Sequence, residues 1–197
     1  MLENMEFKPK LHLELSMGRA PDIFHSWGGG VLVEQVQAGY VKDITEWVRS
    51  EAWQSKISDA ALSLYTVDGK IYGFPQDLGA IGFWYNVDLL KKAGFNSFPR
   101  DWENFLQMCG KLKSEGIIPV ALGLADRWPV TYYWNYLALR IAGSDLFKDI
   151  SAGKRTFTDP ALIQAGTMMR EFYLKGFLPE TAIGDDFPTQ SRLVGDG

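Results

Sequence analysis

The stretch that most constrains this chain runs from Asp68 to Asn86, DGKIYGFPQDLGAIGFWYN. Asp68-Gly69 is a hairpin signal, because a two-residue reversal needs positive φ, which glycine adopts without steric cost. Leu64 to Val67 before it and Lys70 to Phe74 after it are rich in β-formers and predict the two strands. Pro75 removes a ladder donor and ends the second strand. Gln76 to Gly79 then form a loop, and Ala80 to Tyr85 form an apolar, aromatic run that predicts a buried strand with Asn86 at its exit. A polar loop between a hairpin and a core strand is a rigidly framed place for a binding group. The competing assignment of Asp77 is a turn residue bonded to its own backbone.

With 197 residues and 46% hydrophobic content, the chain can bury one large core or two small ones. Its net charge of −4 and the lack of a basic stripe argue against nucleic acid as a partner. Cys109 is the only cysteine, so no intrachain disulfide forms. His12 and His25 have no cysteine or carboxylate at metal-ligand spacing, and neither a metal nor another cofactor is expected. The longest apolar runs are too short to span a membrane. Met1 is not followed by a charged-then-apolar leader, so the chain is either cytoplasmic or separated from its leader. Aromatics make up 14%, with seven tryptophans, which points to a surface that stacks rings against a ligand.

Along the chain, Pro9 fits the first turn of a helix that carries Leu11 and Leu15 and stops at Gly18. Ile23 and Phe24 predict a short buried strand. Gly28-Gly29-Gly30 opens a helix through Leu32 and Val36, closed by Gly39, and Asp43 or Thr45 caps the next helical stretch with Trp47, Val48 and Trp53. Asp88 caps a short helix ended by Gly94. Asp101 caps a longer one in which Trp102, Phe105, Leu106, Cys109 and Leu112 recur at helical spacing up to Gly116. Ile117 to Leu122 predict a strand, Ala125 to Trp128 a loop or helix start, and Tyr132 to Ala142 a helix stopped by Gly143. Asp159-Pro160 opens a helix holding Leu162, Met169 and Phe172 that stops at Gly176, while Phe177 to Gly197 has weak periodicity. Strands alternating with helices give an α/β architecture.

Three places carry candidate chemistry. Trp27 and Gly28, between a strand and a helix start, offer a ring and free N–H groups that bind anions or hydroxyls, against plain packing. The glycine run lacks the lysine and hydroxyl of a P-loop and the spacing of a dinucleotide fingerprint. Asp77 is the second place. Asp126, Arg127 and Trp128 combine a carboxylate, a guanidinium and a ring, the set that binds hydroxyls and stacks on the apolar face of a sugar, against a solvated helix start. Trp102 and Cys109 lie on a periodic face and belong to a core. No nucleophile elbow or Cys-His pair is present.

Several segments, in order, resemble the extracellular solute-binding proteins of ABC importers, in the carbohydrate-binding group that includes maltose-binding protein. They are Lys10-Leu11, Gly18 to Phe24, Gly39 to Ile44, Asp68 to Pro75, Tyr85-Asn86, Lys92 to Phe95, Pro99 to Phe105 and Lys111 to Gly116. Asp101 stands where that family has threonine before the tryptophan, an equivalent cap. The resemblance implies an α/β, two-lobe periplasmic-binding-protein type fold, incomplete at both ends, with residues 1–87 in the first lobe and 88–197 in the second. It implies a sugar or oligosaccharide held between the lobes, membrane permease subunits as partners and no enzymatic activity. It also implies an extracytoplasmic location, in the periplasm or lipid-anchored on the cell surface, with the leader absent from this chain. The family's aromatic residue after the Pro-Asp strand corresponds to Trp27, its second-lobe loop to Arg127 and Trp128, and Asp77 lies in a loop that often faces the cleft.

The resemblance further implies a strand and helix ahead of Lys10 and a continuation beyond Gly197, so the chain is expected to be an internal fragment. As such it is expected to bind sugar weakly or not at all and to self-associate through uncovered strand edges. The alternative function is a carbohydrate-active enzyme using carboxylates such as Asp77 and Asp126, which requires two carboxylates at glycosidase separation.

Overall fold

The computed structural model describes residues 4–196, which fold as two compact units that divide between Ala80 and Ile81. The first opens with helix α1 (Asn4–Ser16), which buries Leu11 and Leu15, one turn apart on one face. Pro9 lies inside this helix rather than in its first turn. Gly18, at φ 66°, ends it, with the Arg19 N–H returning to the Glu14 carbonyl at 2.9 Å. Helix α2 (Gly29–Gln37) follows and buries Leu32 and Gln35.

The helical stretch expected around Trp47, Val48 and Trp53 forms as two short helices, α3 (Thr45–Val48) and α4 (Glu51–Gln54), and a third, α5 (Asp59–Ser63), follows. The hairpin forms as expected at Asp68-Gly69, both with positive φ, between β1 (Thr66–Val67) and β2 (Lys70–Ile71), pairing Thr66 with Ile71 and Val67 with Lys70. Its strands are shorter than the β-former runs, and Leu64 instead caps α5. A polar relay ties α3 to the hairpin. Asp43 accepts from the Thr45 amide and hydroxyl at 3.0 and 2.6 Å, and the Thr45 Oγ1 accepts from the Ile71 N–H at 2.8 Å. Those Thr45 bonds hold the Asp43 carboxyl below the usual carboxylate range. Trp47, Trp53 and Phe74 pack their rings 5.0–5.5 Å apart beside the relay.

The second unit consists of α6 (Val87–Lys92), α7 (Trp102–Ser114), α8 (Trp128–Ala142), α9 (Leu146–Ser151), α10 (Pro160–Leu174) and α11 (Phe187–Gly195). The cap of α6 is Asn86, whose Oδ1 accepts from the Asp88 and Leu89 amides, rather than Asp88. Asp101, Asp159 and Asp186 cap α7, α10 and α11. The periodic face of α7 buries Phe105, Met108, Cys109 and Leu112 against Val120, Leu122, Phe172 and Phe177. A second cluster joins Leu137 and Ala138 of α8 to Leu146, Leu162 and Ala165, and half-buried Trp102 touches both clusters. Burial pushes the Cys109 thiol and the Tyr133 phenol each up to about 12, the latter also by its nearness to Cys109.

Three expected strands do not form. Ile23-Phe24, Ala80–Tyr85 and Ile117–Leu122 find no ladder partner among the described residues. Ile23 is 91% exposed and Trp84 87%, so neither expected burial holds. A strand is stable only when another segment supplies its hydrogen bonds, and the apolar pattern alone does not provide one. Ile117–Leu122 still contributes to the core, with Val120 and Leu122 buried and the Val120 N–H donating to the Phe177 carbonyl at 3.1 Å.

Candidate functional site

In the first unit, Trp27 and Gly28 lead into α2 as the sequence indicated, and Gly28 is its cap with φ 69°. The reason for glycine there is packing. A Cβ at position 28 would stand 2.6 Å from the Leu64 carbonyl oxygen, and the Gly29 N–H donates to the same oxygen at 2.8 Å. Trp27 is half-buried at a groove of about 290 Å³ whose lining includes Leu11, His12, Leu15, Val31 and Gln35. The Lys8 ammonium sits 4.6 Å from the centre of its ring, and the His25 ring meets it edge-on at 5.1 Å. Ser26 donates to the buried Gln35 Oε1 at 3.3 Å beside it. Asp77 is exposed and is not part of this groove. Lys8, His12 and Gln35 carry no local signal in the sequence; α1 and α2 bring them to Trp27.

In the second unit, Asp126, Arg127 and Trp128 form a tight turn onto the start of α8. Arg127 has φ 62° and ψ −39°, and the Trp128 N–H donates to the Asp126 carbonyl at 2.7 Å, a γ-turn with its centre in the strained, positive-φ form. The turn leaves the Arg127 side chain exposed and Trp128 half-buried. Asp126 is not a free acceptor: its Oδ2 accepts from the Phe187 N–H at 2.9 Å, at the first turn of α11. Trp128 packs one side on Phe187, with ring centres 4.7 Å apart, and meets Tyr132 edge-on at 5.8 Å. Phe187 and Tyr132 are each 40% exposed, so the three rings present a partly open aromatic surface beside a guanidinium. Sequence reasoning missed Phe187, although Asp186 and Pro188 around it are a cap and a first-turn proline that mark a helix start.

Among the described residues no cluster of three or more metal-ligating side chains occurs, and no helix is long and apolar enough to cross a membrane. Asp126 and Asp77 belong to different units.

The chain has relatives among known proteins. Of curated relatives, it is 24% identical over 147 residues to a probable sugar-binding periplasmic protein of Mesorhizobium japonicum, covering 73% of this chain and 33% of that protein. It is 28% identical over 142 residues to an uncharacterised ABC transporter extracellular-binding protein of Pyrococcus horikoshii, covering 71% of this chain and 32% of the other. Among solved structures, a chitin oligosaccharide binding protein superposes with a TM-score of 0.84 at 30% identity, over 93% of this chain and 46% of its own. A protein from work on xylan utilization by the thermophilic bacterium Caldanaerobius polysaccharolyticus gives 0.86 at 26% identity, over 98% and 48%. These structures have the two-lobe α/β fold of periplasmic solute-binding proteins, the class expected from the sequence. The chain spans about a third of those curated relatives and just under half of those solved structures. The family model of the bacterial extracellular solute-binding proteins matches residues 3–191, nearly the whole chain, and the chain belongs to that family.

Proposed function

We propose that this chain is part of the substrate-binding component of an ABC importer and that its ligand is a sugar or oligosaccharide, bound without chemical change and passed to membrane permease subunits. The observation that carries the reading is the likeness to the chitin oligosaccharide binding protein, 30% identical with a TM-score of 0.84 over 93% of the chain. The open surface of Arg127, Trp128, Tyr132 and Phe187 fits it. A ring face takes the apolar C–H face of a pyranose, and a guanidinium donates to its hydroxyls. Trp27 and Asp77 are further contacts in this reading, whereas the role of Gly28 is to let the backbone approach Leu64. Residues 1–87 and 88–197 are assigned to the first and second lobes on the family resemblance. The protein works outside the cytoplasm, in the periplasm or anchored by lipid to the cell surface.

The enzyme alternative gains no support from Asp126, one of whose carboxylate oxygens is engaged by the start of α11. The test is a panel of chitin, xylan and maltose oligosaccharides incubated with the protein, with binding read by thermal shift and products by chromatography. A sugar that raises the melting temperature should be recovered uncleaved. Released products would overturn the binding reading.

A further inference from the structure

We infer that Gly123, Asp126 and Gln190 form a brace that holds Arg127 in its positive-φ turn, so that they are positioning residues for the Arg127–Trp128 pair. The inference rests on the reading of that pair as a ligand surface. A non-glycine residue at the centre of such a turn is strained, and it persists only where its surroundings over-determine it. The surroundings here do so from one direction. The Gly123 N–H donates to the Gln190 Oε1 at 3.0 Å, the Leu124 N–H to the Ala182 carbonyl at 2.8 Å, and the Ala125 N–H to the Asp185 carbonyl at 3.0 Å. Asp126 completes the set by accepting from the Phe187 N–H at 2.9 Å.

Every residue from 123 to 126 is thus pinned to the segment 182–190, and the strained Arg127 that follows has its N–H on the Leu124 carbonyl at 3.1 Å instead. Gly123 permits the approach: a Cβ there would lie 2.5 Å from the Asp185 carbonyl oxygen and 2.8 Å from that of Asp186. The opposing segment is itself fixed, since the Thr181 hydroxyl donates to the buried Asp185 carboxylate at 2.8 Å. The brace also carries Phe187 to the face of Trp128, so one set of bonds fixes the turn and the ring surface together. A ligand then meets a backbone turn and a ring that need no ordering on binding.

The experiment is NMR on the isotope-labelled chain, with Arg127 Cα and Hα signals reporting the sign of φ and the Trp128 indole signal reporting its surroundings. Asp126→Ala and Gln190→Ala should each move Arg127 to negative φ and shift the Trp128 indole. Asp126→Asn, whose amide oxygen still accepts from Phe187, should restore both. Arg127 keeping positive φ in both alanine variants, or Asp126→Asn behaving as Asp126→Ala, would overturn the brace. The methyl signals of Leu146 and Leu162, in the other core cluster, report whether the unit stays folded. If the alanine variants unfold, amide exchange in the unaltered chain decides: Gly123 and Phe187 slowed by at least about tenfold support the brace, and free exchange at both refutes it. Titration with chitobiose and xylotriose separates the two readings. Arg127 and Trp128 signals unmoved by either sugar count against the ligand surface and leave the brace standing.

Discussion

Replacing Gly28 with alanine separates a glycine needed for packing from one kept open for a ligand. The residue has φ 69°, which for an L-residue costs about 1–2 kcal/mol. The new Cβ would also stand 2.6 Å from the Leu64 carbonyl oxygen and 3.3 Å from its Cβ, and this is backbone that cannot rotate away. Overpacking of this kind adds about 1–3 kcal/mol, so Gly28→Ala should destabilise the first unit by about 2–5 kcal/mol. Gly29→Ala is the internal control. Its φ is 58°, but nothing lies within 4 Å of its Cβ, so only the conformational cost of about 1–2 kcal/mol applies. Urea unfolding with amide exchange read at α2 and at Leu62–Tyr65 measures both. Equal losses for the two variants, or a loss below about 0.5 kcal/mol for Gly28→Ala, would refute the packing account.

Trp102→Ala, which opens a cavity beside Phe105 and Phe172, should cost about 3–5 kcal/mol in denaturant unfolding, and Trp128→Ala clearly less. Asp101 and Asp186 are held below the usual carboxylate range by the Asn104 and Thr189 groups they cap. Their contribution to stability is therefore complete above the unfolded-state carboxylate pKa and should fall away as pH drops through their lower folded values, a loss that Asp101→Asn and Asp186→Asn variants blunt in acid titrations followed by circular dichroism. Cys109, with its pKa raised to about 12, should react with a thiol reagent at neutral pH only at the rate of unfolding. Because the unfolded thiol ionises first, stability should fall as pH rises from about 9 toward 12, less so in Cys109→Ala.

What could be read from the sequence was what is settled locally. Asp101 and Asp159 before their helices, Gly39, Gly94 and Gly176 after theirs, and Asp68-Gly69 in the hairpin act within a few residues of themselves. The burial of Cys109 and Leu112 followed from helical spacing alone. The strands did not follow from the pattern, because a β-former run such as Ala80–Tyr85 states a preference and its partner must come from elsewhere. Asn86, expected only as a strand exit, caps α6 in place of Asp88 because its side chain reaches the Asp88 and Leu89 amides. At the site, the turn residues Asp126, Arg127 and Trp128 stood out as a cluster of chemistry. That Asp126 faces α11, and that Phe187 covers Trp128, depends on contacts between segments far apart in the chain.

The most direct test of the central claim is saturation-transfer NMR with chitobiose, xylotriose and maltotriose on this chain and on its Trp128→Ala variant, a method that detects even millimolar binding. The account predicts transfer to the ring protons of at least one of these sugars, and a loss of roughly 1–3 kcal/mol in affinity on removing the Trp128 ring, the scale of one large side chain withdrawn from contact. Transfer to a sugar that is unchanged in Trp128→Ala would contradict it.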